Sequence, residues 1–387
     1  MRRLSRGGGV SGRPTRLFFD ARYIRTDFHD GISRFSAELA AAAADAAGDV
    51  DVDVVFLIHD EEQRRRLPSG ARTLRIHSPT SWREPFSSLI LSRHRPDVLF
   101  SPMQTIGSLG RRFGLILTLH DTIYYRHRTP PRDLPGLVRI GWRLFHLSYL
   151  PQRLVLDAAD LVATVSETSK RQFAAVGLTK RPVLVLANAP QRLEELLPTG
   201  VGAASSASGR SARPPRNIVY MGSFMPYKNV ETLVLAMRHL PDHTLHLLSR
   251  IGEARRRELE AMVPDGASVV FHGGVSDEEY AEILSERALL ATLSLDEGYG
   301  LPIAEALAFG VPAVVSESEI FHEVAGEGAL YVAPQDPEAF AGAVRSLDDD
   351  ELRAQVVAAG TAHAAEYSWE KSATRLLAAV RDLAGAD

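Results

Sequence analysis

Twice along this chain, short apolar and β-branched runs alternate with stretches of helical spacing, and the segment between the two series fits neither pattern. From Thr199 to Arg216 the sequence is mostly Gly, Ala, Ser, Arg and Pro without periodicity, which is linker composition. Before it, strand-like runs fall at Arg16–Asp20, Val52–Ile58, Thr73–Ile76, Val98–Ser101, Leu115–His120, Leu161–Ser166 and Val183–Ala187. A long helix opens at Gly31 and its alanines run to Ala47. After the linker the runs restart at Asn217–Met221, Thr244–Ser249, Ser268–Phe271, Ala288–Ser294, Ala313–Ser316 and Leu330–Ala333. Strands that alternate with helices assemble into parallel sheets covered on both faces. The expected fold is therefore α/β, with two Rossmann-like, doubly wound domains over 15–198 and 217–370 facing a cleft. Ligands of such sheets bind at the carboxyl ends of the strands.

Composition narrows the classes. A chain of 387 residues is long for one core and comfortable for two. A net charge of −4 gives no pull toward nucleic acid. With no cysteine there is no disulfide and no cysteine-ligated zinc, which fits a reducing, cytoplasmic setting. No window of about 18 apolar residues reads as a membrane span. Residues 1–14 are basic and Gly-rich without an apolar run, and are expected to be a disordered tail rather than a secretory signal. Asp49, Asp51 and Asp53 alternate with valines like the start of an edge strand, a solvated pattern rather than a metal site.

The stretch richest in chemistry is Glu297-Gly298-Tyr299-Gly300-Leu301-Pro302-Ile303-Ala304-Glu305. An apolar strand precedes it and a short helix, closed by Gly310, follows. Strand, glycine loop and helix point bare amides and a helix N-terminus at an anion. Pro302 suits the first helical turn, where its missing N–H costs nothing. Glu297 and Glu305 would repel a phosphate, but each can accept the O–H donors of a sugar without a metal. A second strand–glycine–helix passage runs from Val219 through Gly222, Ser223, Pro226, Tyr227 and Lys228 to Asn229, a candidate helix cap. Of 44 basic residues only four are lysines, so Lys228 stands out as a compact cation for a diphosphate. A solvated loop lysine is the bland alternative.

These motifs resemble the paired-glutamate and Gly-x-x-x-Pro-Arg-Lys-Asn segments of glycosyltransferase family 4, retaining enzymes of the GT-B fold. The resemblance spans nearly the whole chain and is strongest from Asn217 to Pro334. It implies that Glu305 holds the nucleotide ribose and Glu297 the hydroxyls of the donor sugar. The Gly298, Tyr299, Gly300 and Leu301 backbone, with Lys228 and the Gly222–Ser223 turn, would meet the diphosphate. Tyr227 and Ser223 stand where relatives carry arginines, and Arg250 is the candidate replacement cation. Val275, in Phe271-His272-Gly273-Gly274-Val275, resembles the segment bordering the base, while Ser276 and Glu279 also spell a capping box. In the first domain Gly31 and Ile32 resemble a glycine loop over the transferred sugar. His120 and Asp121 end a strand where relatives place a histidine against the reaction centre; otherwise the pair is a turn. Ser166 with Glu167 matches the family wording and equally suits a helix cap. The resemblance also implies that the C-terminal helix, about 371–387, packs back on the first domain.

The implied function is a retaining hexosyltransferase, catalytic through Glu297, His120 and Lys228. It would use a GDP- or UDP-linked sugar and a glycan, lipid-linked or small-molecule acceptor, with no metal and no other cofactor. A GT-B partner subunit that only binds its nucleotide, and a nucleotide-sugar epimerase, remain the alternatives. Residues 132–153 mix arginines with Trp142, Phe145 and Tyr149, the pattern of a helix lying on the inner face of the cell membrane. A helix packed on its own domain with arginines outward has the same pattern.

Overall fold

Thirteen short strands pair in parallel into two sheets. In a computed structural model, residues 13–27, 30–130, 136–197 and 213–385 are described. The expected tail and linker lie almost wholly outside the described residues. In the first domain the strands are β1 (Thr15–Asp20), β2 (Val52–Ile58), β3 (Arg72–Arg75), β4 (Val98–Ser101), β5 (Gly114–Thr118), β6 (Leu161–Thr164) and β7 (Val183–Val185). They lie in the order β3-β2-β1-β4-β5-β6-β7. The second domain has β8 (Asn217–Tyr220), β9 (Thr244–Leu247), β10 (Ser268–Phe271), β11 (Ala288–Thr292), β12 (Ala313–Ser316) and β13 (Ala329–Val332), ordered β10-β9-β8-β11-β12-β13. Central strands β4 and β11 are buried along their whole length, which is why they read as unbroken apolar runs. In each sheet the order reverses direction beside the first strand, opening a crevice at the strands' carboxyl ends.

Eight helices matter to the cleft: α1 (Gly31–Ala47), α2 (Gly136–Phe145), α3 (Leu150–Asp157), α4 (Glu167–Ala175), α5 (Asp277–Ser285), α6 (Leu301–Ala308), α7 (Glu319–Ala325) and α8 (Trp369–Ala384). Helix α8 packs along α1 and over β1, β4 and β5 of the first domain. It starts two residues earlier than expected because Ser368 caps it, accepting the Lys371 N–H at 3.2 Å. The ring of Trp369 meets that of Phe35 at 6.0 Å, in an apolar cluster that also takes in Tyr299 and Ile303 of the second domain. The two domains thus share a core.

Three sequence expectations change here. The Asp49–Asp53 stretch does not begin an edge strand: β2 pairs with both β1 and β3, and β3 is the edge. Asp53 survives at this inner position because Arg72 pairs with it at 2.5 Å. Strands β5 and β6 stop at Thr118 and Thr164, so His120 and Ser166 stand on the loops that enter the cleft. The arginines-outward packing of α2 holds only in part: Arg143 is exposed and Arg139 half-buried. Trp142 and His146 turn inward, stacking near Tyr124 and Tyr125, while Val138, Ile140 and Leu144 are more than half exposed or at that mark. Leu147, Leu150 and Leu154 continue this outward apolar face onto α3. Of the 132–153 stretch, residues 132–135 lie outside the described residues.

Across the cleft, polar contacts close the domains on each other. The Glu323 carboxylate of α7 accepts the Glu167 and Thr168 N–H groups, each at 2.7 Å, at the N-terminus of α4. A carboxylate there satisfies two bare amides and complements the helix dipole. On the other rim Arg126 forks onto Asp296 at 2.6 and 2.8 Å.

Candidate active site

The loop after β11 approaches the first domain so closely that only glycine fits. A Cβ on Gly298 would sit 2.6 Å from Asp121 Oδ2. The Gly298 carbonyl instead accepts the Ser166 hydroxyl at 3.1 Å. Ser166 also caps α4, accepting the Ser169 N–H at 3.0 Å, which is its helix-cap reading. Gly300 follows at φ +104°, a conformation that side chains rarely adopt, and starts α6 with Pro302 in its first turn. The amides of Tyr299, Gly300 and Leu301 donate to no backbone carbonyl among the described residues.

Lys228 Nζ lies 2.5 Å from Glu297 Oε1, and the Ser294 hydroxyl donates to the same oxygen at 2.9 Å. The chain's strand–glycine–helix passages therefore meet, one supplying the cation and the other the carboxylate. Gly222 leaves β8 with its N–H on the Ser249 hydroxyl at 3.0 Å, and the Tyr220 hydroxyl donates to the Ser223 carbonyl at 2.6 Å. Ser223 is exposed. Tyr227 is buried and faces His127 of the first domain at 5.3 Å, an interdomain aromatic contact in place of an arginine. Asn229 does not cap with its side chain. Held at φ 52°, it donates to the Leu293 and Pro334 carbonyls and ties three loops together.

Glu305 sits one turn into α6, 4 % exposed. Burial pushes its carboxyl up to about 7, partly opposed by Arg34, and its Oε1 has no hydrogen-bond partner. Arg34 Nε approaches that oxygen at 3.9 Å. Arg34 ends the Gly31-Ile32-Ser33-Arg34 segment that resembles the glycine loop, but its approach to Glu305 leaves no local signal in the sequence. Val275 packs at the edge of the shared core, and the stem of Arg250 lies against Gly274, beside the expected base segment. The capping box of Ser276 and Glu279 forms, opening α5.

On the first-domain side, Gly31 and Ile32 form the opening turn of α1 rather than a loop, because Asp30 accepts the Ser33 N–H at 2.8 Å. His120 is held by Nε2 donating to the Pro102 carbonyl at 2.9 Å and by its ring against Phe35 at 5.1 Å. Burial lowers its pKa, so it is a neutral imidazole with Nδ1 left as the acceptor. Asp121 does not orient it: that carboxylate accepts the Ile123 N–H at 2.9 Å and turns toward Gly298. The Tyr299 ring is buried, with its hydroxyl donating to the Asn188 carbonyl at 2.7 Å. Only its backbone lies on the loop.

Comparison with known proteins agrees with this geometry. Residues 30–189 match the glycosyl transferase 4-like domain and residues 204–363 match glycosyl transferases group 1. The chain belongs to the GT-B glycosyltransferases of the family 4 kind. The O-antigen chain mannosyltransferase B of Escherichia coli is 28% identical over 69% of this chain and 70% of its own length. A D-inositol 3-phosphate glycosyltransferase of Acidothermus cellulolyticus is 27% identical over 91% and 85%. In fold, the sucrose-phosphate synthase of Thermosynechococcus elongatus superposes with a TM-score of 0.72 at 19% identity, over 96% of this chain and all of that one. An Anabaena protein solved with UDP and glucose gives 0.67 at 15%, over 95% and 100%.

In this glycosyltransferase Asp121 carries a testable cost. Burial, with Glu297 and Asp296 nearby, pushes its carboxyl up to about 6, above the value it has when unfolded. A raised acid destabilises the native state once pH exceeds that value, and the cost fades as pH falls toward the unfolded pKa. Asp121→Asn should therefore stabilise by about 1–2 kcal/mol at pH 7.5, allowing for partial solvent screening, with the gain vanishing near pH 4. Melting curves of both proteins across that range check it; a gain that does not depend on pH contradicts it.

Proposed function

We propose that this enzyme transfers a hexose from a GDP- or UDP-linked donor to an acceptor hydroxyl, with retention of anomeric configuration and without a metal. The observation that carries it is the meeting of Lys228, Glu297 and the Gly298–Leu301 backbone with the His120–Asp121 loop across the closed cleft. Glu305 would accept the ribose hydroxyls through its unpartnered oxygen, and Glu297 the hydroxyls of the donor sugar. As the sugar's C1–O bond to phosphate breaks, negative charge develops on the diphosphate. Lys228, the loop amides and the α6 N-terminus are placed to stabilise it there. The acceptor oxygen bonds to C1 on the same face, and its proton passes to the departing phosphate oxygen.

Two further features support this reading. His120 lacks a carboxylate partner that would make it a stronger base, which suits a side chain lying against the sugar. The names of the relatives favour mannose or another hexose as the transferred group.

The outward apolar face of α2 and α3, with Arg139 and Arg143 beside it, suits an anionic lipid surface carrying the acceptor. No helix among the described residues is long and apolar enough to cross a membrane, so contact would be peripheral. Flotation with phosphatidylglycerol vesicles should carry the wild type, while Leu144→Asp combined with Leu154→Asp should stay behind; equal flotation contradicts this surface.

The chemistry itself is tested by a proton NMR time course with an α-linked donor in the presence of excess chelator. The first product should be the α-glycoside, formed at the unchelated rate. An initial β-glycoside, or activity lost on chelation and restored by magnesium or manganese, contradicts the proposal.

A further inference from the structure

Arg34 belongs to the first domain, yet its guanidinium reaches the second. Its Nη2 donates to Asp277 Oδ1 at 2.7 Å, at the start of α5, and its Nη1 to the Gln191 side chain. These bonds hold the Nε edge 3.9 Å from Glu305 Oε1, too far for a hydrogen bond and close enough for strong attraction in so buried a place. Beside this pair, Glu305 Oε1 and the Tyr280 hydroxyl are both buried and without a hydrogen-bond partner.

We propose that Arg34 is a positioning residue of the nucleotide site: it keeps the Glu305 carboxylate ionised, and so able to accept both ribose hydroxyls, only while the two domains are closed. This rests on the reading of Glu305 as the ribose carboxylate. The charges facing Glu305 make the need plain. From α1 come Arg34 and Glu38, and from α5 come Asp277 and Tyr280, whose phenol burial keeps neutral. Arg34 is the one cation in that set. Without it, burial and two neighbouring carboxylates all favour a protonated Glu305, which offers a donor where the ribose needs an acceptor. Opening the cleft removes Arg34 as surely as mutation does, so nucleotide affinity and closure are linked.

The test is calorimetric titration with UDP and with GDP from about pH 6 to about pH 9, a range that spans the raised carboxyl. Wild-type affinity should rise as pH rises through about 7. In Arg34→Gln the rise should move to higher pH, leaving binding about tenfold weaker at neutral pH and largely restored at alkaline pH. Arg34→Lys keeps a cation without the fork and should give a smaller displacement; it carries the comparison alone if Arg34→Gln does not fold. Titration of the nucleotide's own phosphate is common to all variants and cancels. Glu305→Gln should bind weakly with no such pH dependence. If Glu305→Gln binds like the wild type, the ribose reading itself fails. If it is weak but the Arg34 variants keep the wild-type midpoint, the role assigned to Arg34 alone is overturned.

Discussion

Everything at this site depends on how closely the Gly298 backbone approaches the first domain. With no side chain there, Asp121 can press against the loop from one side while Ser166 bonds its carbonyl from the other. That contact fixes the Glu297–Leu301 amides relative to His120, and the Glu323 cap on α4 and the Arg126–Asp296 fork hold the same closure at two further points. Weakening any one of them leaves the others, but a Cβ at 298 would push the domains apart at the centre. The proposed catalytic arrangement is therefore a property of the closed pair, since neither domain contains it alone.

Closure also explains the electrostatics. Three carboxylates, Asp121, Glu297 and Glu305, sit within the site proposed to receive a diphosphate. Glu297 is matched by Lys228, and Glu305 by Arg34 at longer range, while Asp121 is left with a backbone amide and a raised pKa. A buried carboxylate without an adequate cation costs several kcal/mol, so the pairing decides which acid stays ionised. The two cations come from different domains, and only one of them lies on a motif loop.

Much of this was legible in the sequence. The thirteen strands among the described residues lie where the sequence placed them, the central ones, buried on both faces, leaving the clearest apolar runs. The two glycine loops were legible for a similar reason: Gly300 and Pro302 answer to backbone conformation, and Lys228 stands out in a chain with four lysines, although its Glu297 partner lies 69 residues away. What was not legible is contact over long separations. Arg34 meets Asp277 across 243 residues, and Tyr299 spends its hydroxyl on a carbonyl 111 residues earlier. His120 and Asp121 are adjacent but take separate partners, the Pro102 carbonyl and the Ile123 amide. Adjacent residues in an extended segment point to opposite sides, which local spacing alone could have warned of.

The central claim is that the two glutamates divide the donor, Glu305 taking the nucleotide and Glu297 the sugar. Titrating the bare nucleotide diphosphate and measuring turnover of the intact donor in Glu297→Ala tests it most directly. Nucleotide affinity should stay within about threefold of the wild type, while turnover falls by roughly one to two orders of magnitude, the effect of one charge-assisted contact of about 1.5–3 kcal/mol. A loss of nucleotide affinity as large as the loss of turnover would contradict the division.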